Sequence, residues 1–506
     1  MLTSRLQRGA QGALLGACLA ACGVAEPDRG TLRVCLESSP RDLDPRAGSD
    51  ESSRRIHALL HAGLTRPGPE GTPVPDLAAG WETVSPTRWR FHLRPGLRFA
   101  DGSPLTSEDV RATLASVAAA ESRSFRHADF LELTAIEVHS ALDFDLVLAQ
   151  PFAPLLANLT LGILPASRLD AEAAGEIGAG PYRLVARRQE QELDVEANPY
   201  FHGSPPTLRR IRLRVIPSET TRALELAKGS LDLSINDLPP DLVEQFRGDP
   251  AFQVLAARGA STSYLGLNLE DARLADPQVR RALAMAIDRP ALIRHLLGGW
   301  AVPATGLLPP GHWAYAATEA PALDPDAAAR LLDAAGYRSP APGAPRFHLV
   351  YRTSTSDLAN LQAQVIQEAW RRIGIETEIR ASDWPTFYDD VVNGRFQVHA
   401  LTWTEVVDPD LYRLRFSSRH LAPAGLNRGR YRNAHVDALL EAGVRATTQE
   451  ERTRIYAEVQ RLIAADVAWI PLYHRDHLAV ARVRVRGITL TPTADFRALA
   501  AIDLDS

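Results

Sequence analysis

An α/β protein built from more than one structural unit is what the sequence predicts. Strand-like alternation gives way to helical periodicity and back again at 207–235 and at 346–382, which is the pattern of strand–helix–strand units. A chain of 506 residues is also too long for one ordinary hydrophobic core, so two or three units are expected, not necessarily contiguous in sequence.

The elements follow in chain order. TLRVCLES (Thr31–Ser38) is a short β-rich run broken by Pro40. In RWRFHLRPGLRFADG (Arg88–Gly102), Trp89, Phe91 and Leu93 share one face and Pro95-Gly96 supplies a turn, which predicts a β-hairpin. SEDVRATLASV (Ser107–Val117) reads as a helix with acids in its first turn. TLRRIRLRVI (Thr207–Ile216) alternates, Ser218–Gly229 turns helical and stops at glycine, and Leu231–Ile235 returns to strand. Asp276–Gly299 predicts two helices broken near Asp288-Arg289-Pro290, and Asp324–Tyr337 a third, with Asp324 as N-cap, Pro325 at the first turn and Gly336 as the stop. Arg346–Arg352, a helix across Leu358–Ile373 and IETEIRAS repeat the strand–helix–strand order. FQVHALTW (Phe396–Trp403) is another strand, and Glu451–Val467 a last amphipathic helix before WIPLYH.

At the N-terminus, Arg5 and Arg8 precede a short apolar stretch, GAQGALLGACLAACG. It is shorter than the roughly 20 residues of a membrane span and reads as an export signal. Leu19-Ala20-Ala21-Cys22 resembles a bacterial lipobox, and Leu15-Gly16-Ala17-Cys18 is a second match. Cys22 leaves the longer apolar stretch and is the expected lipidation site, with residues 1–22 as the signal peptide. No acid lies in 1–21, so removing Arg5 and Arg8 takes the net charge from −5 to −7. The expectation is an exported protein, lipid-anchored at the cell envelope. Cys35 would be the other remaining cysteine; one thiol makes no internal disulfide, and it reads as a small buried residue.

Without a basic run to track phosphates, nucleic-acid binding is not expected. The sequence holds no GxxxxGK[ST], no GxGxxG after a strand, no GxSxG and no HExxH. His474 and His477 lack clustered acidic or cysteine companions, so no metal site and no cofactor are expected. What does stand out is TWTEVVDPD (Thr402–Asp410), three carboxylates in six residues at the carboxyl end of a strand, where α/β crevices form. Asp408 suits a turn-forming role beside Pro409. Glu405 suits a crevice and could receive a ligand's cationic group through charge-assisted hydrogen bonds, or be solvated or paired with an arginine of the chain.

The order of these segments resembles the family 5 extracytoplasmic solute-binding proteins of bacterial ABC importers, the oligopeptide-, dipeptide- and nickel-binding group. The likeness runs over nearly the whole mature chain. It is carried by Leu43–Pro45, by PDLAAGWE and WRFHLRPGLRFADGSPLTSEDV (Trp89–Val110), and by IGAGPYRL, NPYFHG, VRRALAMAIDR, DPDAAARLLDAAGY, TWTEVVDPD and WIPLYH. The resemblance implies a type II periplasmic binding protein. Two hinged lobes are expected, lobe I from 30–58, 178–262 and 478–506 and lobe II from 263–477, with an added subdomain at 59–177. It implies a monomeric, non-enzymatic receptor that closes on a peptide or other small solute and delivers it to a membrane permease and its ATPase.

In peptide-binding members an aspartate shortly after the corresponding tryptophan takes the ligand's α-amino group. Glu405 or Val406 occupies that place here, and the segment is one residue shorter before Asp-Pro. Glu405 could substitute with a longer reach; Val406 could not. By position the resemblance also implies Trp403, Thr404, Trp384, Ser38, Ser39, Tyr182, Tyr473 and His474 as ligand-binding, with Asn427 and Arg428 as further candidates; for the aromatics, core packing is the competing role. Other readings keep the fold with a metal chelate, opine-like compound, sugar or apolar solute, or make the chain a ligand sensor. An exported hydrolase would need a nucleophile–base constellation that the sequence does not display.

Overall fold

The computed structural model describes residues 30–68, 71–171, 173–404 and 406–505. The expected signal peptide, with Cys18 and Cys22, lies outside the described residues, as does Glu405. Among the described residues, a sheet of twelve strands dominates. Its order runs Ile375–Ser382, Phe347–Ser354, Val398–Trp403, Thr262–Leu267, Ile470–Arg482, Leu233–Ile235, Thr31–Leu36, Arg210–Val215, Glu192–Ala197 and Tyr182–Arg188; Phe252–Arg258 and Ala301–Pro303 also pair with Ile470–Arg482.

The thirteen-residue strand Ile470–Arg482 joins two halves of that sheet. Its first residues lie against Ser263–Leu265 and its last against Phe252–Arg258 and Leu233–Ile235. Gly259–Ser261 forms the short link from one half to the other. A side chain at Gly259 would meet the Arg475 carbonyl oxygen at 2.5 Å, so this close approach of two backbones requires glycine. Separate apolar cores fill the two halves. One gathers Leu32, Val34, Ile211, Leu233 and Phe496, the other Leu265, Val279, Tyr351, Trp370 and Ile470.

A four-stranded antiparallel sheet, in the order Ala78–Ser85, Arg88–Leu93, Asp143–Leu148 and Leu133–Val138, makes a third layer with its own core, where Phe91 stacks on Phe144 at 5.6 Å. Helix Ser107–Ala118 packs on it behind a capping box of Thr106 and Asp109. The expected hairpin about Pro95-Gly96 does not form. Gly96 does turn, at φ +74°, but Arg88–Leu93 pairs with the preceding Ala78–Ser85 and with Asp143–Leu148. Leu97 and Phe99 instead turn inward as core residues.

Elsewhere the local signals act as their chemistry dictates. Ser218 caps helix Glu219–Lys228 and Gly229 ends it in the left-handed conformation at φ +90°. Asp276, Asp288 and Asp324 each cap a helix that has proline in its first turn. The strand on either side of helix Glu219–Lys228 pairs in parallel with Thr31–Leu36, which therefore lies between them. Asp232, buried behind this strand, accepts from Arg33 Nε and Nη2 at 2.8 and 2.9 Å and from Arg484 Nε at 3.0 Å, tying the first strand through Asp232 to the C-terminal part of the chain. Cys35 is buried, and burial pushes its thiol up. No helix among the described residues is long and apolar enough to cross a membrane.

Candidate functional site

Strands Thr262–Leu267 and Val398–Trp403 pair antiparallel, with Thr262 opposite Trp403, Tyr264 opposite Leu401 and Gly266 opposite His399. Alternation puts Tyr264, His399, Leu401 and Trp403 on one face. His399 fits only because its partner is glycine: a Cβ at Gly266 would lie 2.1 Å from the imidazole Nε2. The ring meets Tyr264 and Phe396 edge-on at 5.7 and 4.5 Å.

Helix Leu411–Phe416 crosses this face and inserts Arg415. The guanidinium carbon lies 4.3 Å from the Tyr264 and Trp403 ring centres, 5.0 Å from Trp469 and 5.7 Å from Phe416. Arg415 is 6 % exposed, and burial together with repulsion from Arg428 pushes it down to about 10. Its Nε and Nη1 have no hydrogen-bond partner among the described residues. The same holds for the Tyr264 hydroxyl, Trp403 Nε1 and both nitrogens of His399. Burial, with Arg428 and Arg415 close by, holds His399 well below the usual histidine range.

Arg428 forms the outer wall. Its guanidinium lies 5.0 Å from the Tyr388 ring and 5.4 Å from Trp403, and Nη2 donates to the Tyr388 hydroxyl at 2.8 Å. Tyr388 stacks on Trp384 at 5.7 Å. Trp384, first residue of helix Trp384–Val392, is 54 % exposed and marks the surface end of the group. Trp384, Tyr388, Arg428, Trp403 and Arg415 thus run in sequence from solvent into a sealed interior.

Across from Trp403, helix Glu51–Leu60 brings Arg54 to Thr404, its Nη2 donating to Thr404 Oγ1 at 3.4 Å. Ser38, just past the first strand, meets Ser52 of the same helix at 3.0 Å (hydroxyl to hydroxyl), and Ser39 follows half-buried. Arg54 also borders a cleft of about 480 Å3 lined by His57, Arg66, Arg126, Thr160 and Arg497, within the usual size of small-molecule sites.

The geometry therefore brings Trp384, Trp403, Thr404 and Arg428 together and sets Ser38 and Ser39 nearby. Four other expected ligand contacts, Tyr182, Tyr473, His474 and Asn427, are engaged within the protein. Tyr182 is fully buried, its hydroxyl donating to the Leu208 carbonyl at 3.3 Å. Tyr473 is buried and donates to Gln362 Oε1 at 2.6 Å. His474 binds Thr262 Oγ1 and the Ser261 carbonyl at 3.0 and 3.1 Å, bolting the shared strand to the link between the sheet halves. Asn427 is occupied by the loop that carries Arg428. It donates to Ser417 O and Tyr431 O and accepts from Tyr431 N at 2.8–3.0 Å.

Two of the clustered carboxylates are structural. Asp408 accepts from Asp410 N at 2.8 Å, the expected turn, and pairs with Arg452 at 2.7 Å. Asp410, buried, pairs with Arg413 at 2.7 Å. Val406 faces the core. His477 is held by Asn236 and the Pro492 carbonyl, away from the partners of His474.

Sequence reasoning passed over Arg415, His399, Tyr264, Tyr388 and Arg54. For Arg415 a signal existed: it lies three residues after Tyr412 and one before Phe416, on the stripe that buries both.

Residues 72–420 match the family model described as bacterial extracellular solute-binding proteins, family 5 Middle. The chain belongs to this family. It is 28 % identical to the "Probable di/tripeptide-binding protein 5" of Pseudomonas aeruginosa, over 91 % of this chain and 93 % of that one. It is 32 % identical to "Protein XP55" of Streptomyces lividans, over 90 % of this chain and 85 % of that one. In structure it is similar to NikA from Brucella suis in complex with Fe(III)-EDTA, with a TM-score of 0.86 and 22 % identity over 94 % of this chain and 100 % of that one. The family 5 chain is thus a substrate-binding protein with the periplasmic-binding-protein fold, and its relatives are binding proteins, not enzymes.

Proposed function

We propose that this family 5 protein is the lipid-anchored receptor of an ABC importer, capturing peptides or peptide-like solutes and passing them to a membrane permease without making or breaking a bond. The observation that carries the reading is the meeting of Arg54 with Thr404, next to Trp403, across two sheet halves joined through one strand and one short link. Residues 30–58, 178–262 and 478–506 act as one lobe, 263–477 as the other, and 59–177 as an added unit. The link at Gly259–Ser261 and the strand beside it bend as the lobes close. A relative named for di- and tripeptides supports the solute class. Cys22 carries the lipid, and the protein works as a monomer anchored at the cell envelope, on the periplasmic side in a Gram-negative host. Glu405 holds the solute's ammonium group, a role that buried Val406 is not placed to take.

The test is native mass spectrometry of the purified protein, then denaturation and identification of whatever is released. A set of peptide masses is expected; a single non-peptide mass would overturn the peptide assignment. Glu405→Gln should weaken peptide binding by about 1.5–3 kcal/mol, the worth of a hydrogen bond to a charged group; unchanged affinity removes Glu405 from the site. Small-angle scattering should show a smaller radius with saturating peptide, and an unchanged radius would argue against closure.

A further inference from the structure

Given the lobe division and closure proposed above, we propose that the loop Gln150–Pro154 of the added unit is a latch on the closed receptor, gripping Val444 of lobe II and so slowing release of the solute. Ala153 N donates to the Val444 carbonyl at 2.7 Å. Val444 lies in the last turn of helix Ala434–Arg445, where carbonyls have no partner within the helix. The loop therefore completes a helix end that lobe II leaves open. The Val444 side chain is buried in the same apolar core as Phe152, Leu155 and Leu159, so a residue of one lobe is seated in the core of another unit.

The added unit is fastened differently to the two lobes. Toward lobe I, Asp76 accepts from Arg497 Nη1 at 2.5 Å and meets His202 Nε2 at 2.8 Å. Ala100 N donates to the Gly178 carbonyl at 2.8 Å, and Arg46 donates to Ser116 Oγ and the Leu169 carbonyl at 3.1 and 2.7 Å. Charged and neutral bonds at several places hold the unit to lobe I, and it travels with that lobe. Toward lobe II, the Ala153–Val444 contact is bordered by two clefts of about 180 and 230 Å3, both lined by Phe152 and Asp408. A permanent core packs without such gaps. An apolar peg with a neutral hydrogen bond can part without stranding a charge. Parting exposes Val444 and Phe152 to water, which favours the closed form.

Two features suit the loop to this task. Pro151 and Pro154 fix their own φ, and Pro154 also holds Ala153 out of the helical region, so the loop is stiff before Val444 reaches it. The other feature is its place. Asp408, which shares both clefts with Phe152, lies on the segment that begins at Trp403, and Thr404 of that segment meets Arg54 of lobe I. Asp408 is tied in turn to Arg452, a few residues past Val444, at 2.7 Å. One stretch of lobe II thus touches lobe I beside the site at one end and borders the latch at the other, so the movement that encloses a solute also seats Val444.

The experiment is hydrogen exchange read by mass spectrometry on the purified chain, freed of bound solute and then with saturating trialanine. Pro151 and Pro154 carry no N–H, so Phe152 and Ala153 hold the exchangeable backbone amides of that stretch. In the solute-free chain Ala153 is expected to exchange at least tenfold faster than Leu146, whose strand is paired on both sides, and to slow tenfold or more with trialanine. Val444→Ala should weaken trialanine binding about tenfold, chiefly through faster release, and leave the urea midpoint of the solute-free chain unchanged. Ala153 as slow as Leu146 without solute, or a lowered midpoint in Val444→Ala with affinity unchanged, would overturn the latch and make the contact a permanent part of the core. Contraction with trialanine in small-angle scattering while Ala153 exchange stays unmoved would overturn the latch and leave lobe closure standing. Should trialanine not bind, the peptide reading fails, and the solute-free exchange of Ala153 alone upholds or overturns the latch.

Discussion

Arg415→Met keeps the long apolar stem and removes the buried charge, which makes it the sharpest probe of how Arg415 is held. Its guanidinium, moved from an ordinary 12.5 down to about 10, is disfavoured in its charged form by about 3 kcal/mol relative to water. The nearest rings, at 4.3, 4.3 and 5.0 Å, return about 0.5–1 kcal/mol each, roughly 2 kcal/mol together. The two contributions nearly cancel, with a small residue against the arginine. Arg415→Met should therefore leave the stability of the solute-free protein unchanged or raise it by about 1 kcal/mol. Removing an arginine from a satisfied buried ion pair would instead destabilise by about 3–5 kcal/mol. The assay is urea unfolding followed by fluorescence, on wild type and variant refolded free of solute, because bound solute adds its own stabilisation. A loss of 3 kcal/mol or more would refute the argument and mean that the in-plane N–H groups are satisfied in the solute-free protein.

Gly266→Ala drives a methyl group into the His399 ring and should destabilise by about 2–3 kcal/mol; His399→Ala in the same chain should restore most of that, and simple additivity of the two changes would disprove the contact. Trp384→Ala, at a half-exposed position outside any core, should shift stability by less than about 0.5 kcal/mol yet weaken solute binding about tenfold, as calorimetry would reveal; equal affinity would place Trp384 outside the site. His61 and His474 are each held down to about 4 by burial. Their folded-state values lie below the unfolded value, so the unfolded chain binds more protons. Stability should be full above pH 6.5 and fall toward pH 4, at roughly 3 kcal/mol per pH unit for the two together. Urea midpoints at pH 7, 6 and 5 check this, and a flat profile would contradict it.

Much of the architecture was legible because adjacent segments differ in period. Phe347–Ser354, Asp357–Arg372 and Ile375–Ser382 alternate, wind and alternate again, and capping aspartates with following prolines fix the starts of three helices. Pairing was less legible. The run at Arg88–Gly102 carries a turn and alternation on both sides of it, yet Leu97 and Phe99 are claimed by the core under helix Ser107–Ala118 and the strand finds other neighbours. A local pattern states which face is apolar and leaves open which strand lies beside it. The site was legible in part: Trp403, Thr404, Trp384 and Arg428 converge, while Tyr182 and Tyr473 turned inward, since an aromatic beside a hinge has the same sequence signature whether it lines a cleft or fills a core. Arg415 was missed for a different reason. A charged residue on a short helix reads as solvated, and only its placement on the Tyr412–Phe416 stripe argued otherwise.

The strand shared by both halves of the large sheet has a consequence for how the chain is made. Neither half is complete without Ile470–Arg482, and the first strand waits for partners nearly 180 and 200 positions later. A chain made from its N-terminus must therefore be almost entirely synthesised before its central seam can form. Until then, two half-built sheets present open edges to their surroundings, and any factor that shelters emerging chains has most to guard just before residue 470 appears. The four-stranded layer, whose strands all fall within residues 78–148, is free to assemble early and gives the waiting chain its first folded core.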